Sequence, residues 1–124
     1  MPKKLFLVED EAAFLYALQA KFRLEGFQVE VATDGEEAIR RLKTYTPDII
    51  LLDIILPKMD GWEVLSLLRA DTRHINTPVI IISNLSGKSD QEKGLELGAN
   101  EYLVKSDYDL DELVKKVETI LNKK

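Results

Sequence analysis

The sequence predicts an α/β fold, a doubly wound sheet of five parallel strands in a (βα)5 arrangement. Apolar runs begin near residues 4, 28, 49, 79 and 100, and segments with helical periodicity separate them. Strand–helix alternation of this kind favours a parallel sheet covered by helices. Because no linker rich in Pro, Gly or Ser divides the chain, we expect one domain over residues 1–124, with no output domain visible.

The five strands differ in how apolar they are, and this difference predicts their order in the sheet. The first, third and fourth strands (residues 5–8, 49–52 and 79–82) are apolar throughout, which is typical of central strands covered on both faces. The second strand (28–31) alternates and the fifth, from Asn100, begins with polar residues, as expected at sheet edges. With right-handed crossovers, these features favour the order 2-1-3-4-5.

Each intervening segment carries the pattern and end signals of a helix. The first helix stops at Gly26, a residue common after helix ends, and the second and third begin after Asp34 and Asp60. The fourth is polar and is interrupted by Gly94, so we expect it to be the least stable. The fifth, residues 109–122, has a continuous apolar stripe at helical spacing.

Composition excludes several classes of function. The net charge of −5 argues against nucleic acid or an anionic membrane as a direct partner. Without cysteine there are no disulfides, zinc-thiolate sites or thiol nucleophiles. No apolar run has the length of a signal peptide or of a membrane span, so we expect a cytoplasmic protein.

Polar side chains follow four of the apolar runs, at the point where each predicted strand ends. They are Glu9 and Asp10 after the first run, Asp53 after the third, Ser83 after the fourth and Lys105 after the fifth. In a parallel sheet these positions share one edge, and ligands bind beyond that edge at the switch point between strands one and three. The sequence therefore predicts a convergent site made of three carboxylates, a hydroxyl and an ammonium group.

This combination of groups suits phosphoryl transfer to an aspartate. Clustered carboxylates repel one another unless a cation relieves the repulsion, and Mg²⁺ prefers one or two carboxylates together with waters and a phosphate oxygen. A carboxylate can attack phosphorus, while a metal, a lysine and a hydroxyl neutralise the equatorial oxygens. Each residue taken singly is an ordinary helix cap or surface side chain. The interpretation rests on finding all five at one edge.

The chain also resembles the receiver domains of response regulators, the CheY-like family of two-component signalling. The resemblance covers the whole chain and rests on motifs distributed along it. These motifs are Leu7-Val8-Glu9-Asp10-Glu11, Ala32-Thr33-Asp34-Gly35, Asp48-Ile49-Ile50-Leu51-Leu52-Asp53, Pro57-Lys58-Met59-Asp60-Gly61, Gly98-Ala99 and Tyr102-Leu103-Val104-Lys105. The strand order predicted above is also the order of this family.

The resemblance implies a role for each residue at the predicted metal site. Asp53 would accept a phosphoryl group from a phosphohistidine on a sensor histidine kinase or phosphotransfer protein. Glu9, Asp10, Asp53 and the backbone carbonyl of Ile55 would hold Mg²⁺. By the same resemblance the protein is not an enzyme beyond its own phosphorylation and dephosphorylation, and it acts on a downstream protein as a monomer or a weak phosphorylation-dependent dimer.

The resemblance also implies a conformational switch. Ser83 fills the family's hydroxyl position, Lys105 its lysine position and Tyr102 the position of the switch aromatic. In the family, the hydroxyl moves toward the phosphoryl group and the aromatic ring turns inward behind it. We therefore expect phosphorylation to bias a two-state equilibrium at the face formed by the fourth helix, the fifth strand and the fifth helix. If Tyr102 does not switch, it is an edge-strand aromatic with a hydrated hydroxyl.

Four positions depart from the family pattern or modify it. Ser106 stands where proline usually follows the lysine in a cis bond. Since a cis bond before another residue costs roughly 3–4 kcal/mol, a trans bond is favoured here and the reach of Lys105 stays open. Asn84 replaces a small residue and could narrow phosphoryl access. Ile55 and Leu85 are apolar at positions that handle the attacking water, which predicts slow self-dephosphorylation.

Three aromatic or imidazole side chains outside the motifs also lead to predictions. Phe14 lies in an uncharged stretch, residues 12–18, that one helix face cannot bury, so we expect it to help dock a kinase helix pair or to be buried under neighbouring loops. His74 is the sole histidine, and its polar surroundings predict an exposed loop residue. Trp62 is expected to pack at the start of the third helix.

Three alternatives to a phosphorylated switch stay open from the sequence. A pseudo-receiver would bind partners without phosphorylation, and Asn84 and Ser106 are its support. An aspartyl phosphatase of the dehalogenase type would need a second Asp where Ile55 stands. A flavin protein would need a phosphate-binding loop after the first strand, where the acidic stretch Glu9-Asp10-Glu11 would repel phosphate.

Overall fold

A computed structural model describes residues 2–122 of the chain, which form one sheet with helices on both faces. The strands are β1 (Lys4–Val8), β2 (Gln28–Ala32), β3 (Ile49–Leu52), β4 (Val79–Ser83) and β5 (Glu101–Val104). The helices are α1 (Ala12–Leu24), α2 (Gly35–Leu42), α3 (Gly61–Ala70), α4 (Lys88–Glu96) and α5 (Leu110–Leu121), and a 3₁₀ turn covers Lys105–Asp107.

The strands pair in parallel in the order β2-β1-β3-β4-β5, as the sequence predicts. Apart from Lys4 at the start of β1, the residues of the central strands are buried, whereas the two edge strands contain both buried and accessible residues. The order reverses between β1 and β3, whose residues Val8 and Leu52 are paired in register. Glu9 and Asp53, the next residue of each strand, therefore leave the sheet side by side.

Alternate residues of the strands supply two separate cores. One core packs α1 and α5 against Leu5, Leu7, Ile49 and Leu51, and the other packs α2 and α3 against Phe6, Val8, Ile50 and Leu52. This separation follows from the two-residue period of a strand, which sends neighbouring side chains to opposite faces.

Three of the helices begin at an aspartate that caps them, as the sequence suggests for two of these positions. The carboxylates of Asp34, Asp60 and Asp109 each accept a hydrogen bond from a backbone N–H in the first turn. Asp109 and Glu112 form a reciprocal capping box at the start of α5. Gly26 follows the end of α1 with a φ of 93°, a left-handed conformation that favours glycine.

Gly94 of α4 has a packing function that the sequence did not reveal. It is buried, and a Cβ there would lie 2.7 Å from Cδ1 of Ile81 and 2.8 Å from Cδ2 of Tyr102. Glycine therefore allows α4 to approach the sheet and the Tyr102 ring. Gly94 is the only residue of α4 (Lys88–Glu96) that is buried, so this helix contributes little apolar surface to the core.

The prediction that His74 is an exposed loop residue is wrong. The ring is fully buried, and its Nε2 lies 2.5 Å from the carbonyl oxygen of Leu42 at the end of α2. Terminal helix carbonyls lack an intrahelical partner, so an N–H from the turn after α3 satisfies this one. Arg69 donates to the backbone carbonyl of His74 at 2.8 Å and fixes the same turn.

Candidate functional site

The candidate site lies beyond the carboxyl ends of β1, β3 and β5, at the predicted switch point. A cleft of about 210 Å³ opens there, lined by Glu9, Asp10, Glu11, Asp53, Ile55, Asn84 and Lys105. The structure thus brings together four of the five polar residues that the sequence placed at this edge. Ser83, the fifth, is not among the residues lining the cleft.

The three predicted carboxylates form a compact cluster. Glu9, Asp10 and Asp53 each offer an oxygen atom, and these atoms lie within 4.8 Å of one another. Glu9 and Asp53 are buried, while Asp10 is exposed. Burial raises the pKa of the Glu9 carboxyl, an effect that the hydrogen bond from Lys105 partly offsets.

This cluster fits a hard divalent cation. Its donors are carboxylate oxygens without a nitrogen or sulfur ligand among them, and the exposed Asp10 leaves one side open to water. Two buried carboxylates side by side also repel each other, and the Asp53 charge contributes to the raised pKa of Glu9. A cation at this point would relieve that repulsion.

The Asp53 carboxylate has a fixed orientation. Its Oδ1 accepts hydrogen bonds from the backbone N–H groups of Ile54 at 2.7 Å and Ile55 at 3.3 Å. Its Oδ2 lies 3.1 Å from Nζ of Lys105. The two oxygens therefore differ: one is held by the backbone, and the other faces a side-chain ammonium group.

Lys105 reaches the site although it is not followed by proline. The peptide bonds of the described residues, including the one between Lys105 and Ser106, are trans. The Lys105 ammonium lies 2.8 Å from Glu9 Oε1 and 3.4 Å from Glu11 Oε1, in addition to its contact with Asp53. Burial lowers its pKa, but the hydrogen bond to Glu9 and the charges of Asp53 and Glu9 outweigh burial and raise it overall.

Ser83 is positioned behind the cleft rather than inside it. The residue is fully buried, and its Oγ accepts a hydrogen bond from the backbone N–H of Leu85 at 3.2 Å. The neighbouring Asn84 is exposed and lines the cleft, a position from which its side chain could narrow phosphoryl access as predicted.

The hydroxyl group of Tyr102 is bonded to the protein backbone. The hydroxyl donates to the backbone carbonyl of Leu85 at 2.7 Å, and burial raises its pKa. Because the ring lies against Gly94 and the hydroxyl binds the segment before α4, Tyr102 connects β5 both to α4 and to the residues that precede it.

Phe14 is half-buried beside the site, and its ring faces Lys105. The Lys105 ammonium lies 4.8 Å from the ring centroid. Farther along α1, Tyr16 is 71% exposed, so the uncharged stretch does present an apolar side chain to solvent. The contacts of Lys105 with Phe14 and Glu11 could not be predicted from the sequence, because no spacing rule links residues so far apart in the chain.

Comparison with known proteins identifies a family over nearly the whole chain. A family profile described as the response regulator receiver domain matches residues 5–118. The chain is 40% identical over 121 residues to the transcriptional regulatory protein PrrA of Mycobacterium leprae, a match that covers 98% of this chain and 51% of PrrA. The chain spans about half the length of the curated relatives it matches.

Two solved structures extend the comparison to three dimensions. The Francisella response regulator 1452 receiver domain is 34% identical, with a TM-score of 0.88 and 96% of each chain covered. The receiver domain of the sensor histidine kinase PA1611 from Pseudomonas aeruginosa is 28% identical, with a TM-score of 0.90 and coverage of 99% of this chain and 100% of that one. That structure has a magnesium ion coordinated in its active-site cleft.

None of the helices within residues 2–122 combines the length and the hydropathy needed to span a membrane.

Proposed function

Because the chain belongs to the response regulator receiver domain family, we propose that it is a phosphorylated signalling switch whose acceptor is Asp53. The observation that carries this proposal is the arrangement of Asp53, which has one oxygen held by backbone amides and the other paired with Lys105. Receiver domains interact with histidine kinases and with downstream effectors. The donor proposed here is a phosphohistidine on such a kinase or on a phosphotransfer protein, and residues 1–124 act together as one receiver domain.

In the proposed reaction, Oδ2 of Asp53 attacks the phosphorus atom of the donor. A bond forms between this oxygen and phosphorus as the P–N bond to the donor imidazole breaks, and the imidazole leaves with the electron pair and takes up a proton. The backbone amides of Ile54 and Ile55 hold the carboxylate in place through Oδ1. Lys105 exchanges part of its contact with Asp53 and Glu9 for an oxygen of the incoming phosphoryl group.

Glu9, Asp10 and Asp53, with the backbone carbonyl of Ile55, are the residues proposed to hold Mg²⁺. When bound, the ion would neutralise negative charge on the phosphoryl oxygens during transfer. Within the protein, Glu9 has the further task of orienting Lys105, which it contacts at 2.8 Å. The exposed position of Asp10 keeps this side of the cleft open to the donor.

The proposed output involves Ser83, Tyr102 and α4. The Ser83 hydroxyl would leave the Leu85 amide and turn toward the phosphoryl group, which would displace the segment that begins at Leu85. Because the Tyr102 hydroxyl binds the Leu85 carbonyl, this displacement would also alter the contact between β5 and α4. The switched surface is the face formed by α4, β5 and α5.

Intact-mass measurement after treatment with acetyl phosphate tests the proposal. With Mg²⁺ we expect the mass of one added phosphoryl group, and we expect none for Asp53→Asn or for the wild type with chelator. The matched control is Asp48→Asn, since Asp48 is an aspartate outside the site that accepts a hydrogen bond from the Lys4 amide. It should be modified like the wild type.

Two outcomes would contradict the proposal in different ways. Unmodified wild type with a folded core would favour a pseudo-receiver that binds partners without phosphorylation. Equal modification of Asp53→Asn would place the acceptor elsewhere. Response regulators are generally not classed as enzymes, and the reaction proposed here is limited to the protein's own phosphorylation and dephosphorylation.

A further inference from the structure

The Lys105 ammonium group has an aromatic neighbour in addition to its acidic ones. It lies 4.8 Å from the centroid of the Phe14 ring, and its side chain is only 9% exposed. A cation within about 6 Å of a ring face is attracted by the ring quadrupole, and the attraction is stronger in a site shielded from water. The contact therefore joins α1 to the lysine that the proposed function places at the phosphoryl group.

The acidic neighbours alone do not fix where the ammonium lies. Glu9, Glu11 and Asp53 all have carboxylate oxygens within 3.4 Å of Nζ, so the lysine has three competing partners. The Glu11 side chain is 59% exposed, and pairing with it would move the ammonium toward solvent. The Phe14 ring adds an attraction that favours the inward position.

The short backbone segment that carries Lys105 does little to restrict the position of its side chain. The residue begins a short 3₁₀ turn, and Ser106 and Asp107, which complete this turn, are exposed. By contrast, Phe14 belongs to the first turn of α1 and packs against the core that contains Leu15 and Leu18. The ring is thus the more rigid partner of the pair.

We propose that Phe14 is a positioning residue for phosphoryl transfer, acting through a cation–π contact that holds the Lys105 ammonium over the cleft. This inference rests on the proposed function of Asp53 and assigns to Phe14 a role other than kinase docking. It makes the electron density of the ring, rather than its size or its exposure, the property that matters.

Stepwise fluorination of Phe14 tests this property, because fluorine withdraws electron density from the ring with little change in shape. Acetyl phosphate is the donor, so no kinase has to dock. We expect the rate of phosphorylation to fall progressively with mono-, di- and trifluoro-phenylalanine at position 14. The total decrease should reach about tenfold, equivalent to about 1.4 kcal/mol. Phe14→Leu should be at least as slow, and Phe14→Tyr should be close to the wild type.

Phe27 provides a matched control. It is a half-buried phenylalanine that packs against the same core and makes an edge contact with Phe22, with ring centroids 5.2 Å apart. The same fluorinated residues at position 27 should leave the rate unchanged. Equal rates across the Phe14 series, or an equal decrease in the Phe27 series, would overturn the proposal.

A second measurement does not depend on phosphorylation. An aromatic ring over the ammonium shifts the NMR signals of the Lys105 ε-methylene protons upfield, and Phe14→Leu should abolish the shift. Absence of the shift in the wild type would overturn the proposed contact. If instead the shift is present and the wild type is not phosphorylated, the contact stands while the function of Asp53 and the role of Phe14 in transfer both fail.

Discussion

Helices α4 and α5 lie on opposite faces of the sheet beside β5, and they are attached in different ways. The α5 helix buries Leu113, Val114, Val117 and Ile120 and starts with a capping box. In α4 the single buried residue is Gly94, and its N-cap, Gly87, has no side chain to accept a hydrogen bond. One helix is therefore fixed by a core, and the other by close approach of its backbone to Tyr102.

This difference indicates which part of the proposed output face can move. Displacing α5 would expose four apolar side chains, each of which contributes roughly 1.5–3 kcal/mol when buried. Displacing α4 breaks the Tyr102 packing and a cation–π contact between Lys93 and Trp62, whose ring centroid lies 4.5 Å from the ammonium. If Asp53 is phosphorylated as proposed, we therefore expect the resulting displacement to occur at α4 rather than at α5, because elements of low local stability move more easily.

The largest expected difference in stability between the two helices appears when one leucine in each is truncated to alanine. Leu113→Ala in α5 should lower the free energy of unfolding by about 2–5 kcal/mol, because it leaves a cavity in the core. Leu95→Ala in α4 should change it by less than about 0.5 kcal/mol, because Leu95 is 52% exposed. Denaturant unfolding measures both values. Similar losses for the two variants would remove the basis of the comparison.

A smaller effect is expected where α4 is closest to the sheet. Gly94→Ala should cost about 1–3 kcal/mol through overpacking against Ile81 and Tyr102. Adding Tyr102→Ala should recover part of this loss, because the ring that the new methyl group meets is then gone. Denaturant unfolding of the single and double variants tests the coupling, and strictly additive losses would show that Gly94 and Tyr102 act separately.

The helix caps should give the next smaller effect, with opposite signs in the two helices. Asp109→Ala removes the side-chain acceptor for the Glu112 amide, one of the two bonds of the α5 capping box, and should cost about 1 kcal/mol. Gly87→Ser supplies the side-chain acceptor that α4 lacks and should gain a few tenths of a kcal/mol. Thermal unfolding detects both changes. A loss in Gly87→Ser equal to that in Asp109→Ala would contradict the assignment of the caps.

The smallest expected effect is the change in unfolding free energy with pH. It depends on Glu9 at the site and not on residues of α4 or α5. The pKa of Glu9 is raised above its ordinary value near 4.5 because of burial, so the folded protein binds this proton more tightly than the unfolded chain. Without metal, this contribution to stability therefore decreases as the pH rises above about 4.5 toward the raised value. Glu9→Gln should flatten this part of the profile of unfolding free energy, and Leu95→Ala should not alter it.

The sequence was sufficient to predict the sheet order and the location of the site. Both depend on simple periodic rules: strands buried on both faces are apolar throughout, and residues that follow parallel strands share an edge. Glu9, Asp10, Asp53 and Lys105 accordingly line one cleft. The polar composition of α4 also predicts that it is the least stable helix, which the unfolding experiments above test.

The remaining features depend on tertiary contacts that no local pattern encodes. Gly94 appears in the sequence as a helix defect, whereas its use is visible only once the Tyr102 ring lies against it. His74 has polar neighbours in the sequence yet is buried, and its ring pairs with the carbonyl of Leu42, which is 32 residues away in the chain. The contact of Phe14 with Lys105 joins the first helix to the end of the last strand.

Hydrogen exchange followed by mass spectrometry, before and after phosphorylation by acetyl phosphate, tests the central claim most directly. We predict that phosphorylation changes the exchange of residues 85–97 while α5 stays protected, and that Asp53→Asn shows neither the modification nor the change. A fully phosphorylated protein whose α5 responds as strongly as α4, or in which neither helix responds, would contradict the account.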